Sequence, residues 1–208
     1  MLSTRQLKFT YSNGPGFTFP DITCGKGDHL LIIGESGKGK TTLLHLLAGI
    51  LKPSSGEILV ANTSTSSLSD SKLDKFRGKH IGIVFQTAHF VHSLSVIDNL
   101  LLVPFLSGNK ASKEKAVKTL TRLNLENRLT ANPSQLSVGE QQRAAIARAV
   151  MNDPDIILAD EPTSALDDRN AHDVIDMLEE QAALTGASLI IVTHDKRIKD
   201  RFKNQVSL

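Results

Sequence analysis

The chain has 208 residues with 24 Lys and Arg against 22 Asp and Glu, and this net charge of +2 leaves no electrostatic footprint for a dedicated nucleic-acid binder. A length of this order supports one good hydrophobic core, or one core with a smaller appended unit, rather than two full domains. Cys24 is the only cysteine, which excludes a disulfide framework and a cysteine metal site and fits a reducing, cytoplasmic setting. No stretch approaches the roughly 18 apolar residues of a membrane span, and the first residues lack an apolar signal core, so direct membrane insertion is not expected.

In chain order, the alternation at residues 7–11 reads as a strand, Asn13-Gly14-Pro15-Gly16 as a turn, and residues 17–19 as an antiparallel return. The compact apolar runs 29–33, 81–85, 156–159 and 189–192, separated by helical patterns, suit a parallel sheet covered on both faces. A Ser- and Thr-rich stretch, 62–71, reads as an exposed loop before a short helix. Between residues 87 and 153 the strand signal gives way to helical patterns at 95–103, 112–123 and 139–151. The predicted fold is therefore α/β with a mainly parallel sheet and an N-terminal antiparallel β subdomain. Its core spans 1–86 and 154–208, and a helical subdomain of about 87–153 is inserted in it, all within one domain of 208 residues.

Gly34-Glu35-Ser36-Gly37-Lys38-Gly39-Lys40-Thr41 fits the phosphate-binding P-loop, and it has the context the motif needs: the run 29–33 before it and the predicted helix 41–48 after it. Glycines at 34, 37 and 39 let the backbone bring successive N–H groups onto phosphate oxygens, and the helix start adds its positive dipole end. The candidate nucleotide contacts are Gly34, Ser36, Gly37, Lys38, Gly39, Lys40, Thr41 and Thr42. Lys40 supplies a point charge for the outer phosphates, and the Thr41 hydroxyl is a candidate Mg²⁺ ligand. The run 156–159 ends in Asp160 and Glu161. Adjacent residues at a strand end point in different directions, so Asp160 is free to orient the Mg²⁺ shell while Glu161 acts as general base on an attacking water.

These motifs, with Leu136-Ser137-Val138-Gly139-Glu140 followed by Gln141-Gln142-Arg143, give a chain that resembles the nucleotide-binding subunit of ATP-binding cassette (ABC) transporters. Gln86 resembles the family's Q-loop glutamine, Ser164-Ala165-Leu166-Asp167 its D-loop, His194 its switch histidine and Tyr11 its adenine-stacking aromatic. The resemblance implies ATP hydrolysis with Mg²⁺. Gln86 would touch the metal and the attacking water, and His194 would bond the terminal phosphate. Ser137, Gly139 and Asp167 would meet ATP across an ATP-dependent homodimer. It also implies an integral membrane permease as partner and a peripheral position on the inner face of the cell membrane. Val138 and Glu140 depart from the commoner glycine and glutamine of the signature. Phe90, Val91 and Leu94 lie in the region that, in the family, receives a short helix from the membrane subunit. Among subgroups the chain most resembles the lipoprotein-releasing and macrolide-efflux type, with importer subunits and soluble non-transport cassettes as alternatives. Of the other histidines, His45, His80, His89, His92 and His172 read as packing or surface residues.

Overall fold

A computed structural model describes residues 1–12, 14–164 and 166–208; Asn13 of the predicted turn and Ala165 of the D-loop-like run lie outside the described residues. The first strand, β1 (Leu2–Thr10), has nine residues where the alternation at 7–11 implied five, and the reason is a bulge. Leu2 and Thr4 point inward, then Gln6 adopts a left-handed backbone (φ 47°) and the inward parity changes to Leu7 and Phe9. One extra residue in a strand reverses every later side chain, so no unbroken period of two exists to be read. The Gln6 N–H, turned out of the ladder, donates to Asp21 Oδ1 at 2.6 Å.

β2 (Gly16–Thr18) and β3 (Thr23–Cys24) both pair with β1, and β4 (His29–Ile33) leads into helix α1 (Lys40–Leu47). Next come β5 (Ser55–Val60) and β6 (Thr63–Ser64), which complete an antiparallel sheet in the order β2-β1-β5-β6. The stretch expected as an exposed loop is thus partly ordered: Thr65 is buried and donates its hydroxyl to Ile58 O. Helix α2 (Asp70–His80) is polar on most faces; Leu73 is buried beside Gly49, and Phe76 packs against the apolar layer.

Strand β7 (Ile81–Val84) precedes helices α3 (Val96–Leu106), α4 (Lys113–Arg122) and α5 (Val138–Ala149), and then β8 (Ile156–Asp160), α6 (Asp168–Thr185), β9 (Ser188–Thr193) and β10 (Gln205–Ser207) follow. Helix α3 runs past Pro104, which removes only one backbone donor near the helix end, and leaves Phe105 and Leu106 exposed. The second sheet, β10-β4-β9-β8-β7, is parallel throughout.

Alternate residues of this parallel sheet feed two apolar layers. Leu30, Ile32, Leu158, Ile190 and Val192 face α1 and the antiparallel sheet, whereas Leu31, Ile157, Ala159, Leu189 and Ile191 face α5, α6 and the helices inserted after β7. Helix α1 is enclosed: Leu43, Leu44, Leu46 and Leu47 are all fully buried, as expected of a helix packed between two sheets. The fold is the α/β P-loop arrangement with an antiparallel β subdomain and inserted helices. In it the loops leaving β4, β7, β8 and β9 share one edge, the carboxyl ends of parallel strands, where ligands of such sheets bind.

The bulge supplies a stability test. Gly56, opposite Gln6 with φ 90°, would place a Cβ 2.4 Å from Gln6 O, while Gly27 (φ 76°) has open space around the same position. Gly56→Ala is expected to cost about 2–4 kcal/mol, left-handed strain plus overpacking, and Gly27→Ala only about 1 kcal/mol from strain alone. Thermal melting checks this, at roughly 2–4 °C per kcal/mol for a chain of this size, and equal shifts for the two variants would contradict the bulge geometry.

Candidate functional site

The turn from β4 to α1 places its glycines where side chains are penalised: Gly37 has φ 82° and Gly39 φ 87°. A Cβ on Gly39 would also lie 2.6 Å from the Phe17 ring, so only glycine lets this turn pack under β2. The turn delivers Lys40 inward. Its side chain is buried, and Nζ donates to Glu35 O (3.0 Å) and stands 3.5 Å from Glu161 Oε1. A cleft of about 400 Å³ opens here, lined by Phe17, Ser36, Gly37, Gly39, Lys40, Thr41, Thr42, Gln86, Glu161 and His194.

Asp160 and Glu161 do point apart. Thr41 Oγ1 donates to Asp160 Oδ1 at 3.4 Å, which sets a hydroxyl and a carboxylate side by side as hard oxygen donors suited to Mg²⁺. Burial raises the Asp160 pKa, and the Thr41 hydrogen bond opposes that shift while the neighbouring Glu161 charge adds to it. The backbone of Glu161 leaves the strand in a left-handed conformation (φ 47°) while its N–H still bonds Val192 O. A non-glycine residue there is strained, and the strain aims its side chain away from Asp160. The Glu161 carboxylate accepts from Thr193 Oγ1 (2.7 Å) and His194 N (3.2 Å) and lies 2.9 Å from His194 Nδ1. Burial pushes its pKa up, but the bonds from His194 and Thr193 outweigh it and hold the group below the usual glutamate range. Gln86, at the exit of β7, reaches across to Ser164 Oγ at 3.4 Å.

Other predicted residues sit elsewhere. Gly34 and Lys38 border a neighbouring cleft shared with Ser36, His194 and Lys196. Tyr11 stands beside the first cleft without lining it: its hydroxyl is 2.9 Å from Thr42 Oγ1 and its ring packs edge-on against Phe9 and Phe17. The aromatic wall is Phe17, which sequence reading missed because one aromatic in a short return strand carries no sign of what it covers. Asp167 caps α6, accepting from Asn170 N at 3.0 Å.

Ser137 and Gly139 begin α5, outside the cleft. Ser137 Oγ accepts from Glu140 N and Ser137 N donates to Glu140 Oε2, a reciprocal cap that leaves the hydroxyl proton free to donate outward. Arg128 Nε bonds the other Glu140 oxygen at 2.8 Å, and with Ser137 N it holds the Glu140 pKa at about 2. Glu140 thus supplies the cap that a glutamine would, with a charge neutralised by Arg128, while Val138 projects into solvent.

Phe90 differs from expectation. It is buried in the layer below α3 and α5, with the Arg148 guanidinium 4.8 Å over its ring, so it packs the fold and is not an exposed docking residue. Val91 beside it is exposed, and a shallow groove between α2, β7 and α3 is lined by Arg77, Ile83, Phe85, His89 and Val103. His80 gains a carboxylate partner that its sequence neighbours did not announce, Asp155 Oδ2 at 2.6 Å.

Comparison with known proteins agrees with this geometry. Residues 20–164 match the ABC transporter family. The chain is 41% identical over 207 residues to the lipoprotein-releasing system ATP-binding protein LolD of Legionella pneumophila (strain Lens), covering 97% of this chain and 91% of that protein. It is 37% identical over 214 residues to the LolD of Xanthomonas campestris pv. campestris (strain 8004), covering 100% and 90%. Among solved structures, the dimeric ATP-binding cassette MJ0796 in a post-hydrolysis state with ADP and Pi superposes with a TM-score of 0.90 at 32% identity, over 100% of this chain and 94% of that one. CbiO1 from Clostridium perfringens, part of the ABC transporter complex cbiONQ, gives 0.87 at 29% identity, over 99% and 83%.

The hydroxyl of fully buried Thr193 donates to Glu161 and accepts from Asp195 N at 2.9 Å. Thr193→Val keeps the shape and leaves both partners short of a bond, so it is expected to cost about 1–3 kcal/mol. Urea denaturation should show a lower midpoint with an unchanged slope; an unaltered midpoint would mean that the hydroxyl carries none of this load.

Proposed function

The chain belongs to the ABC transporter family as an ATP-binding, ATP-hydrolysing cassette, and from that premise we propose that it is the Mg²⁺-dependent motor of a lipoprotein-releasing or related envelope transporter. One observation carries the catalytic part of this reading: Lys40, Thr41 and Thr42 at the start of α1, with Gln86, Glu161 and His194 from the exits of three other strands, line a single cleft. The envelope assignment is supported by near full-length similarity to the two LolD proteins.

Each residue has a role that its position supports. The glycine-rich turn and the start of α1 offer backbone N–H groups to the β- and γ-phosphates, and Lys40 exchanges its contacts with Glu35 O and Glu161 for phosphate oxygens. Thr41 and Asp160, with Gln86, would hold Mg²⁺, which would supply positive charge to neutralise what develops on the outer phosphates. Losing Lys40 as a neighbour leaves Glu161 free to accept a proton from the attacking water, with its carboxylate oriented by Thr193 and His194. His194 stands at the cleft to donate to the γ-phosphate. Phe17, with Tyr11 behind it, forms an apolar wall for the base and has no polar group to read it, so GTP is expected as a second substrate.

Ser137 and Gly139 lie outside their own cleft, so in this reading they serve the ATP of a second copy. The outward hydroxyl of Ser137 and the N-terminus of α5 then meet the γ-phosphate in a two-fold, ATP-dependent dimer, with Asp167 at the same seam. No helix among the described residues is long and apolar enough to cross a membrane, and attachment to the inner face of the membrane would come through a separate integral membrane subunit seated in the groove at Ile83, Phe85 and His89.

Lys40→Ala is expected to abolish nucleotide binding or turnover, and chelation of Mg²⁺ to stop hydrolysis; a steady-state phosphate-release assay at wild-type rate after either change would sink the site assignment. Glu161→Gln should bind ATP, fail to hydrolyse it and accumulate as a dimer in light scattering, because the amide keeps the shape and loses the basic oxygen. Adding Ser137→Arg should return that variant to monomer. If the double variant stays dimeric, α5 is not at the interface.

A further inference from the structure

Arg197 follows β9 in a 3₁₀ segment, Lys196–Arg201, and does not line the nucleotide cleft. A guanidinium carries five N–H donors in a rigid planar fork, and here every one has an acceptor. Nε donates to Asp195 Oδ1 (2.9 Å) and one Nη2 donor to Asp195 Oδ2 (2.7 Å), which closes a bidentate pair on the residue beside His194. The other three donors cross to the segment that follows β8: Nη2 to Thr163 O (3.3 Å), and Nη1 to Leu166 O (3.3 Å) and Asp168 Oδ1 (2.6 Å).

The network continues into the cleft. Asp195 is buried, accepts also from Thr163 Oγ1 (2.7 Å), and donates its N–H to Thr193 Oγ1 (2.9 Å), whose proton goes to Glu161 Oε2 (2.7 Å). Hydrogen bonds therefore run without a break from Asp168, at the start of α6, through Arg197, Asp195 and Thr193 to Glu161. Thr163 lies two residues after Glu161 and Asp195 one after His194, so the fork spans the two chain segments whose separation sets the 2.9 Å contact between Glu161 and His194. Arg197 is also the main reason the Asp195 carboxyl is held far below the usual aspartate range.

We propose that Arg197 is a positioning residue for ATP hydrolysis, holding Thr163, Leu166 and Asp168 against the strand exit that carries His194, so that docking of a second copy on those residues reaches the water-activating pair. This rests on the roles given above to Glu161 and His194. The competing account is that Arg197 only neutralises a buried aspartate. The two separate cleanly, because a lysine satisfies the charge but, as a point cation, does not span five acceptors on two segments.

The test is steady-state ATP hydrolysis with thermal melting on the full chain. Arg197→Lys is expected to melt close to wild type, to keep KM for ATP within about twofold, and to lose at least about tenfold in kcat, since small misplacements of reacting groups cost rate rather than binding. Wild-type kcat in that variant overturns the proposal. Arg197→Ala strands the Asp195 charge and is expected to melt low, so Arg197→Ala combined with Asp195→Asn serves as the second measurement. A kcat still at least about tenfold down after melting recovers upholds positioning, and recovery of kcat together with stability overturns it. Full hydrolysis by Glu161→Gln would instead sink the underlying assignment of the base, a result independent of any Arg197 variant.

Discussion

Two opposite charges buried 3.5 Å apart, the Lys40 ammonium and the Glu161 carboxylate, are the constraint around which the rest of this structure is arranged. Both side chains are buried, and removing one member of a buried ion pair costs about 3–5 kcal/mol. Holding both there requires two strands of the parallel sheet, β4 through its glycine turn and β8 through the strained residue that follows it, to end at the same edge with β9 between them. In the proposed function, nucleotide binding is an exchange of partners: phosphate takes the lysine, and the glutamate is released to act as a base.

The two apolar layers explain why the edge is rigid. Alternate side chains of the parallel strands feed opposite layers, so the inner strands β4, β8 and β9 are anchored from both faces and cannot slip by one residue without placing their inward set in the wrong layer. Helix α1, whose four leucines are fully buried, fixes the P-loop from behind. Residues after the strands have no such anchoring, and there polar networks take over, with Thr193, Asp195 and Arg197 setting the distance between the loops that carry Glu161 and His194.

The inserted helices have another logic. They share one apolar layer with α6 and the sheet, and α5 presents a capped, charge-neutralised N-terminus to solvent. Glu140, where the family pattern has a glutamine, keeps the cap geometry, and Arg128 neutralises its charge. A departure from the family pattern is thus compensated within the chain.

By itself, the sequence determined everything that local backbone chemistry carries. Glycines at positive φ in a strand-to-helix turn, a lysine and two hydroxyls at a set offset, adjacent carboxylates at the end of an apolar run and a Ser-x-x-Glu box before α5 each impose their own conformation, so the P-loop, the parallel strands and most helices were legible. Tertiary structure decided what depends on residues far apart in the chain. Phe17 and not Tyr11 lines the cleft because β2 folds over Gly39; Phe90 is covered by Arg148, 58 positions later; β1 hid half its length behind a bulge that needs Gly56 opposite. The acceptors of Arg197 lie up to 34 positions away, on a segment brought near only because β8 and β9 pair in register. Periodicity and spacing record a residue's own conformation, whereas burial and partnership are set by which strands become neighbours, and that order is not written at any one position.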